Sequence, residues 1–163
     1  VPDEQLSPHF RLKELLRSPA AASEGLPNAP TEQQRANLKR LCEELLKPVA
    51  AEVGGLVVSS GLRQPEVNAL IGGSRTSSHC ALGEAAAADV VPKKPGVTLR
   101  EIVERVQRSG LAFDQVIYEF GRWVHLSDRH TDGRQRRQVL MAFRENGSTV
   151  YRPFDARDPR VLA

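Results

Sequence analysis

Between Thr31 and Val53 the apolar residues Leu38, Leu41, Cys42, Leu45 and Val49 recur at helical spacing, which predicts the longest helix of the chain. Thr31-x-x-Gln34 gives it a capping box, Gly54-Gly55 a stop, and Pro48 a kink or split. Ahead of it, Leu6-Ser7-Pro8-His9 opens a short helix with Phe10, Leu12, Leu15 and Leu16 as its apolar set, ending near Ser18-Pro19. Gly25, Pro27, Asn28 and Pro30 make 20–30 a loop.

Beyond Gly55 the pattern changes. Leu56-Val57-Val58 is short and β-branched, hence a strand, and Ser59-Ser60-Gly61 turns out of it. A brief helix from Pro65 to Leu70 and a loop from Gly72 to Ser78 follow. Ala85 to Val91 reads as a strand ending at Pro92, although alanine favours helix. Thr98 and Glu101 box another helix, with Val97 stapled on Ile102, an inner face of Ile102, Val103 and Val106, and Gly110 at its close. Four short strands come last, at 115–118, 123–126, 139–143 and 149–151, with hairpin-like turns at Gly121, Asp132-Gly133 and Asn146-Gly147. Helices first and consecutive strands last predict an α+β fold, a small antiparallel sheet packed against N-terminal helices. Residues 1–163 read as one domain, with a core over about 6–151 and a Pro- and charge-rich tail, 152–163, loosely attached.

Composition narrows the function. Hydrophobic residues at 40% support a core, and no run reaches the ~18 apolar residues of a membrane span. Val1 to Gln5 shows neither a basic nor an apolar signal-peptide region. The net charge of +3 and the few aromatics argue against nucleic acid. The basic run from Arg129 to Arg137 reads as a solvated loop, with weak attraction to an anionic surface such as a bacterial cell wall as its functional alternative. Cys42 belongs to a helix's apolar face, and two cysteines make no disulfide framework. No heptad or exposed apolar stripe demands a partner, so a monomer is expected.

The chemistry gathers in two stretches, 59–89 and 123–127. His79 lies in a Gly/Ser-rich loop and His125 within a strand; a lone histidine is usually structural. Asp89, entering the apolar run Val90-Val91, needs a partner for its charge. Two imidazoles and one carboxylate form an open catalytic zinc set, with one position left for water. Glu119, leaving the strand beside that of His125, is the candidate to take a proton from that water. Cys80, next to His79, is a further possible ligand.

These residues resemble a family. Ser60-Gly61-Leu62-Arg63-Gln64-Pro65 through Asn68, Gly72-Gly73-Ser74, Ser77-Ser78-His79, Phe113-Asp114-Gln115 through Glu119, and Trp123 to Ser127 look like the zinc D-alanyl-D-alanine carboxypeptidases. Phage endolysin peptidases belong to the same group, and the Hedgehog signalling domain shares its fold. The likeness covers about Leu6 to Phe143. It implies one zinc ion per chain on His79, Asp89 and His125, Glu119 as general base, Arg63 gripping a substrate carboxylate or carbonyl, and Ser77 orienting substrate. The more familiar family variant places its acid three residues before the last histidine, where this chain has Arg122. Asp89 also follows His79 by ten residues, three more than in the family. A bulge or longer loop must absorb that slack, or Glu84 must replace Asp89.

The expected function is therefore zinc-dependent hydrolysis of an amide bond in the peptide stem of bacterial peptidoglycan, by a D,D- or L,D-carboxypeptidase or an endolysin-type endopeptidase. The alternative is a non-catalytic module with a degenerate zinc site that binds cell-wall peptide or a protein. Either would act in the periplasm or outside the cell, or be made in the cytoplasm and released as a phage lysin.

Overall fold

The computed structural model describes residues 1–162. Its first apolar residues do not form the expected helix. Gln5–Ser7 (β1) and Phe10–Arg11 (β2) pair as a small antiparallel hairpin, and only Leu12–Leu15 (α1) is helical. Ser7 precedes Pro8, whose ring disfavours helical backbone before it. Residues 20–30 are not all loop either. Pro19–Glu24 (α2) is a helix capped by Ser18, which accepts from the Ala21 amide, and closed by left-handed Gly25. Pro19 is a helix start, where its missing N–H costs nothing.

The long helix runs as expected but in three parts: Glu32–Leu41 (α3), a wide π turn over Cys42–Leu46, and Lys47–Val53 (α4). The wide turn lies just ahead of Pro48, where an α-helical ladder would call on an N–H that proline lacks. The helix passes the proline without splitting. Leu38, Leu41, Leu45 and Leu46 are fully buried, each contributing about 2 kcal/mol of burial.

Leu56–Ser60 (β3), Pro65–Leu70 (α5), Ala86–Pro92 (β4) and Leu99–Arg108 (α6) follow close to their expected places. Gln115–Glu119 (β5), Trp123–Arg129 (β6), Gln138–Glu145 (β7) and Ser148–Pro153 (β8) complete the chain's strands. The sheet is neither small nor wholly antiparallel. Six strands join in the order β3-β4-β6-β5-β7-β8, and β5 and β7 run parallel. The turn at Asp132-Gly133 does not join neighbours: β6 is already flanked by β4 and β5, so β7 must pair with the far edge of β5. Alanine serves in β4 because α3 packs against it, and Ala86 and Ala88 are small enough to admit the helix.

The end of the chain is attached rather than loose. Val161 is buried, Phe154 packs on the core, and the Leu162 amide donates to Tyr118 Oη. Ala163, the last residue of the expected tail, lies outside the described residues. Both cysteines are free and buried, and burial pushes the Cys42 thiol up to about 12. No helix among the described residues is long and apolar enough to cross a membrane.

Candidate metal centre

Asp89, His125 and Ile117 stand in one row across β4, β6 and β5, since Asp89 pairs with His125 and His125 with Ile117. Residues directly opposed on neighbouring strands share a face. His79 enters that face from a 3-10 turn over Ser78–Cys80, whose first amides are met by the Ser77 hydroxyl accepting from His79 N at 3.3 Å. The Gly61 carbonyl aims the ring. His79 Nδ1 donates to it at 2.8 Å, and that hydrogen bond assigns the tautomer with Nε2 bare.

His79 Nε2, Asp89 Oδ1 and His125 Nδ1 converge, with separations of 3.1, 3.1 and 3.2 Å, and all three residues are buried. Tetrahedral zinc with bonds of about 2.0–2.1 Å would set its ligand atoms about 3.3 Å apart, so this triangle has the size and the donor chemistry that zinc requires. Burial pushes the Asp89 carboxyl up, but the two imidazoles together outweigh it and hold it below the ordinary carboxylate range. Burial lowers His79, whereas Asp89 overcomes burial at His125 and raises it.

The longer spacing between His79 and Asp89 does not keep the carboxylate out. Ala81 and Gly83 take left-handed backbone after the 3-10 turn, and the extra residues are taken up in this loop ahead of β4. Helix α3 anchors the extra length from its polar side. Gln34 Nε2 donates to Cys80 O at 2.9 Å, Asn37 Nδ2 to Ala81 O and Gly83 O at 3.1 and 2.9 Å, and Arg40 Nη2 to Glu84 O. Nothing in the apolar stripe pointed to these contacts, although buried Gln and Asn on a core helix carry amides that must find partners. Glu84 itself is exposed and faces Arg129, so it does not replace Asp89. Cys80 is buried and is not among the converging groups, and Arg122 is exposed.

Arg40 also meets fully buried Asp128, Nε to Oδ2 at 2.8 Å. Arg40→Ala would strand that carboxylate, and a loss of about 3 kcal/mol is expected by denaturant unfolding. A loss below about 1 kcal/mol would mean that water replaces the pair.

Glu119 sits at the edge of the triangle, Oε1 at 3.9 Å from His125 Nδ1. Trp123 Nε1 donates to its other oxygen at 3.1 Å, a positioning role the sequence did not disclose. The β5–β6 turn, Phe120-Gly121, has both residues at positive φ and returns Arg122 N to Glu119 O at 2.9 Å, the primed geometry of a tight hairpin. Burial pushes the Glu119 carboxyl up against the pull of His125. Arg63 lies at the same place, Nη1 at 4.0 Å from Asp89 Oδ2, with its buried Nε unpartnered in the described structure. It therefore neighbours the metal-side carboxylate as well as the open space. That space is a cleft of about 640 Å³, lined by all six residues singled out from the sequence and also by Tyr151, His130 and Arg136.

What the cleft defines is a hydrolase-like arrangement: a three-atom metal cradle, a carboxylate beside it and an arginine within reach. A family model described as Peptidase M15 matches residues 8–127, a span that holds the whole cradle and Glu119. The chain belongs to the peptidase M15 family, whose members are zinc metallopeptidases acting on the cell wall. No curated protein and no solved structure matches it.

Proposed function

We propose that this chain is a zinc-dependent peptidase that hydrolyses an amide bond in the peptide stem of bacterial peptidoglycan, as a carboxypeptidase or an endolysin-type endopeptidase. The convergence of His79 Nε2, Asp89 Oδ1 and His125 Nδ1 beside Glu119 carries the reading. Those three atoms would hold one zinc ion per chain, which when bound supplies a Lewis acid and a water acidic enough to ionise near neutral pH. Glu119 Oε1 takes a proton from the attacking water as the new C–O bond forms, and delivers it to the departing amide nitrogen as the C–N bond breaks. Trp123 keeps the second oxygen occupied, so Oε1 is the one left to work. Arg63 presents a planar guanidinium to a substrate carbonyl or carboxylate and steadies Asp89. Ser77, whose hydroxyl caps the His79 turn, lines the same cleft and orients substrate from there. The product is a shortened or opened stem, and the place of action is the cell wall.

The test is zinc per chain by elemental analysis, together with a digest of purified peptidoglycan analysed for new termini. About one zinc is expected, with hydrolysis abolished by a chelator and restored by zinc. Stoichiometric zinc without any new terminus would reject the peptidase reading and leave a binding module.

A further inference from the structure

The family match ends at residue 127, yet the cleft does not. Its further lining residues His130, Arg136, Leu140 and Tyr151 all come from the segment that follows. Among them Arg136 is held unusually firmly. Its Nε and Nη2 donate to the two oxygens of Asp114 at 2.7 Å each, its backbone amide donates to Asp114 Oδ1 at 3.2 Å, and the Asp114 side chain is fully buried. A guanidinium gripped along one edge presents the remaining edge, Nη1 and the outer hydrogen of Nη2, in a fixed plane. Nη1 has no protein partner among the described residues, and the outer hydrogen of Nη2 is directed at His130 Nδ1 over 3.4 Å, a long contact that a carboxylate oxygen would replace.

We infer that Arg136, flanked by His130, is a specificity-determining subsite for a free carboxylate carried by the substrate two to three residues from the bond that is cut. This rests on the peptidase reading above. The register gives the distance. The metal cradle lies level with Ile117, through His125, whereas Arg136 is held at Asp114 and Gln138 pairs with Gln115. Two to three residues along a strand span about 7–10 Å, the reach of two to three residues of an extended peptide. Arg63 stands at the metal end beside Asp89, so the two arginines address different parts of one ligand. The Asp114 charge offsets that of Arg136. What remains is a directed pair of donors, which rewards a carboxylate with two acceptor oxygens over an amide with one.

The experiment uses two stem-like peptides that differ only in a free α-carboxylate or its amide on the γ-linked D-glutamyl residue. Binding is measured on zinc-loaded Glu119→Gln protein, and hydrolysis on wild type. The carboxylate form is expected to bind about tenfold or more tightly than the amide, a preference reduced to near unity in Arg136→Lys, which keeps a charge for Asp114 but loses the fork. The double variant Arg136→Gln/Asp114→Asn, which removes the fork without stranding a buried carboxylate, is expected to lose the preference as well and decides the matter if the lysine variant does not fold. Equal binding of the two peptides overturns the inference, as does a preference that survives in both variants. Discrimination in binding without hydrolysis of either peptide by wild type would uphold the subsite and reject the peptidase reading. Hydrolysis of both at equal rates with equal binding would do the reverse.

Discussion

In Glu119→Gln, zinc should stay at about one per chain while hydrolysis of peptidoglycan falls by about 10²–10⁴-fold, the range that a positioned acid–base group contributes. The substitution preserves shape and the Trp123 contact, since the amide oxygen can still accept from Nε1. It removes only the capacity to carry a proton. Glu119 lies outside the three-atom triangle, so the metal should be indifferent to the change. Asp89→Ala is the informative contrast, because there the zinc itself should go. Loss of zinc in Glu119→Gln would make Glu119 a ligand rather than a base. Retained hydrolysis with retained zinc would move the proton transfer to another group.

Gly61→Ala should destabilise the folded protein by more than about 4 kcal/mol and empty the metal site together with the fold. No unusual backbone angle is involved. A Cβ at Gly61 would lie 2.1 Å from Leu15 O and 2.6 Å from Leu15 C, atoms of the main chain that cannot swing aside. The same two segments are tied by Gly61 N to Arg17 O at 2.8 Å and Leu62 N to Leu15 O at 2.7 Å. To admit the methyl, β3 and α1 must separate, and the carbonyl that aims His79 moves with them. Thermal melting with zinc analysis of the folded fraction checks this. A variant that melts like wild type and binds one zinc would show that the N-terminal segment yields without cost.

The sequence carried the site's membership better than its support. His79, Asp89, Glu119 and His125 were picked out chiefly through the family resemblance, since a histidine in a loop and another in a strand are usually structural and only Asp89, an acid opening an apolar run, was chemically out of place by itself. Their convergence was not legible, since it depends on which strands neighbour one another. Sequence order suggested consecutive hairpins, and the parallel pairing of β5 with β7 follows only once β4 has taken the other edge of β6. The first helix failed for a local reason, the constraint that Pro8 places on Ser7. Pro19 shows how one residue type marks either end of a helix: with Ser18 before it, it starts one. Asn37 and Gln34 were hidden for a different reason. They lie within an amphipathic helix where attention falls on leucines, and their amides matter only because the loop they hold is longer than the family's.

Glu119, the proposed general base, and His125, the last residue of the metal cradle, stand on two strands joined by one three-residue hairpin connection, so their separation is a property of local covalent register and not of how the domain as a whole is assembled. His79 and Asp89, by contrast, arrive from separate segments brought in by long-range packing. Transplanting this chemistry to another scaffold would thus be an asymmetric task. The β5–β6 ribbon could travel as one cassette, whereas the recipient would have to furnish the other imidazole and the carboxylate from its own tertiary architecture.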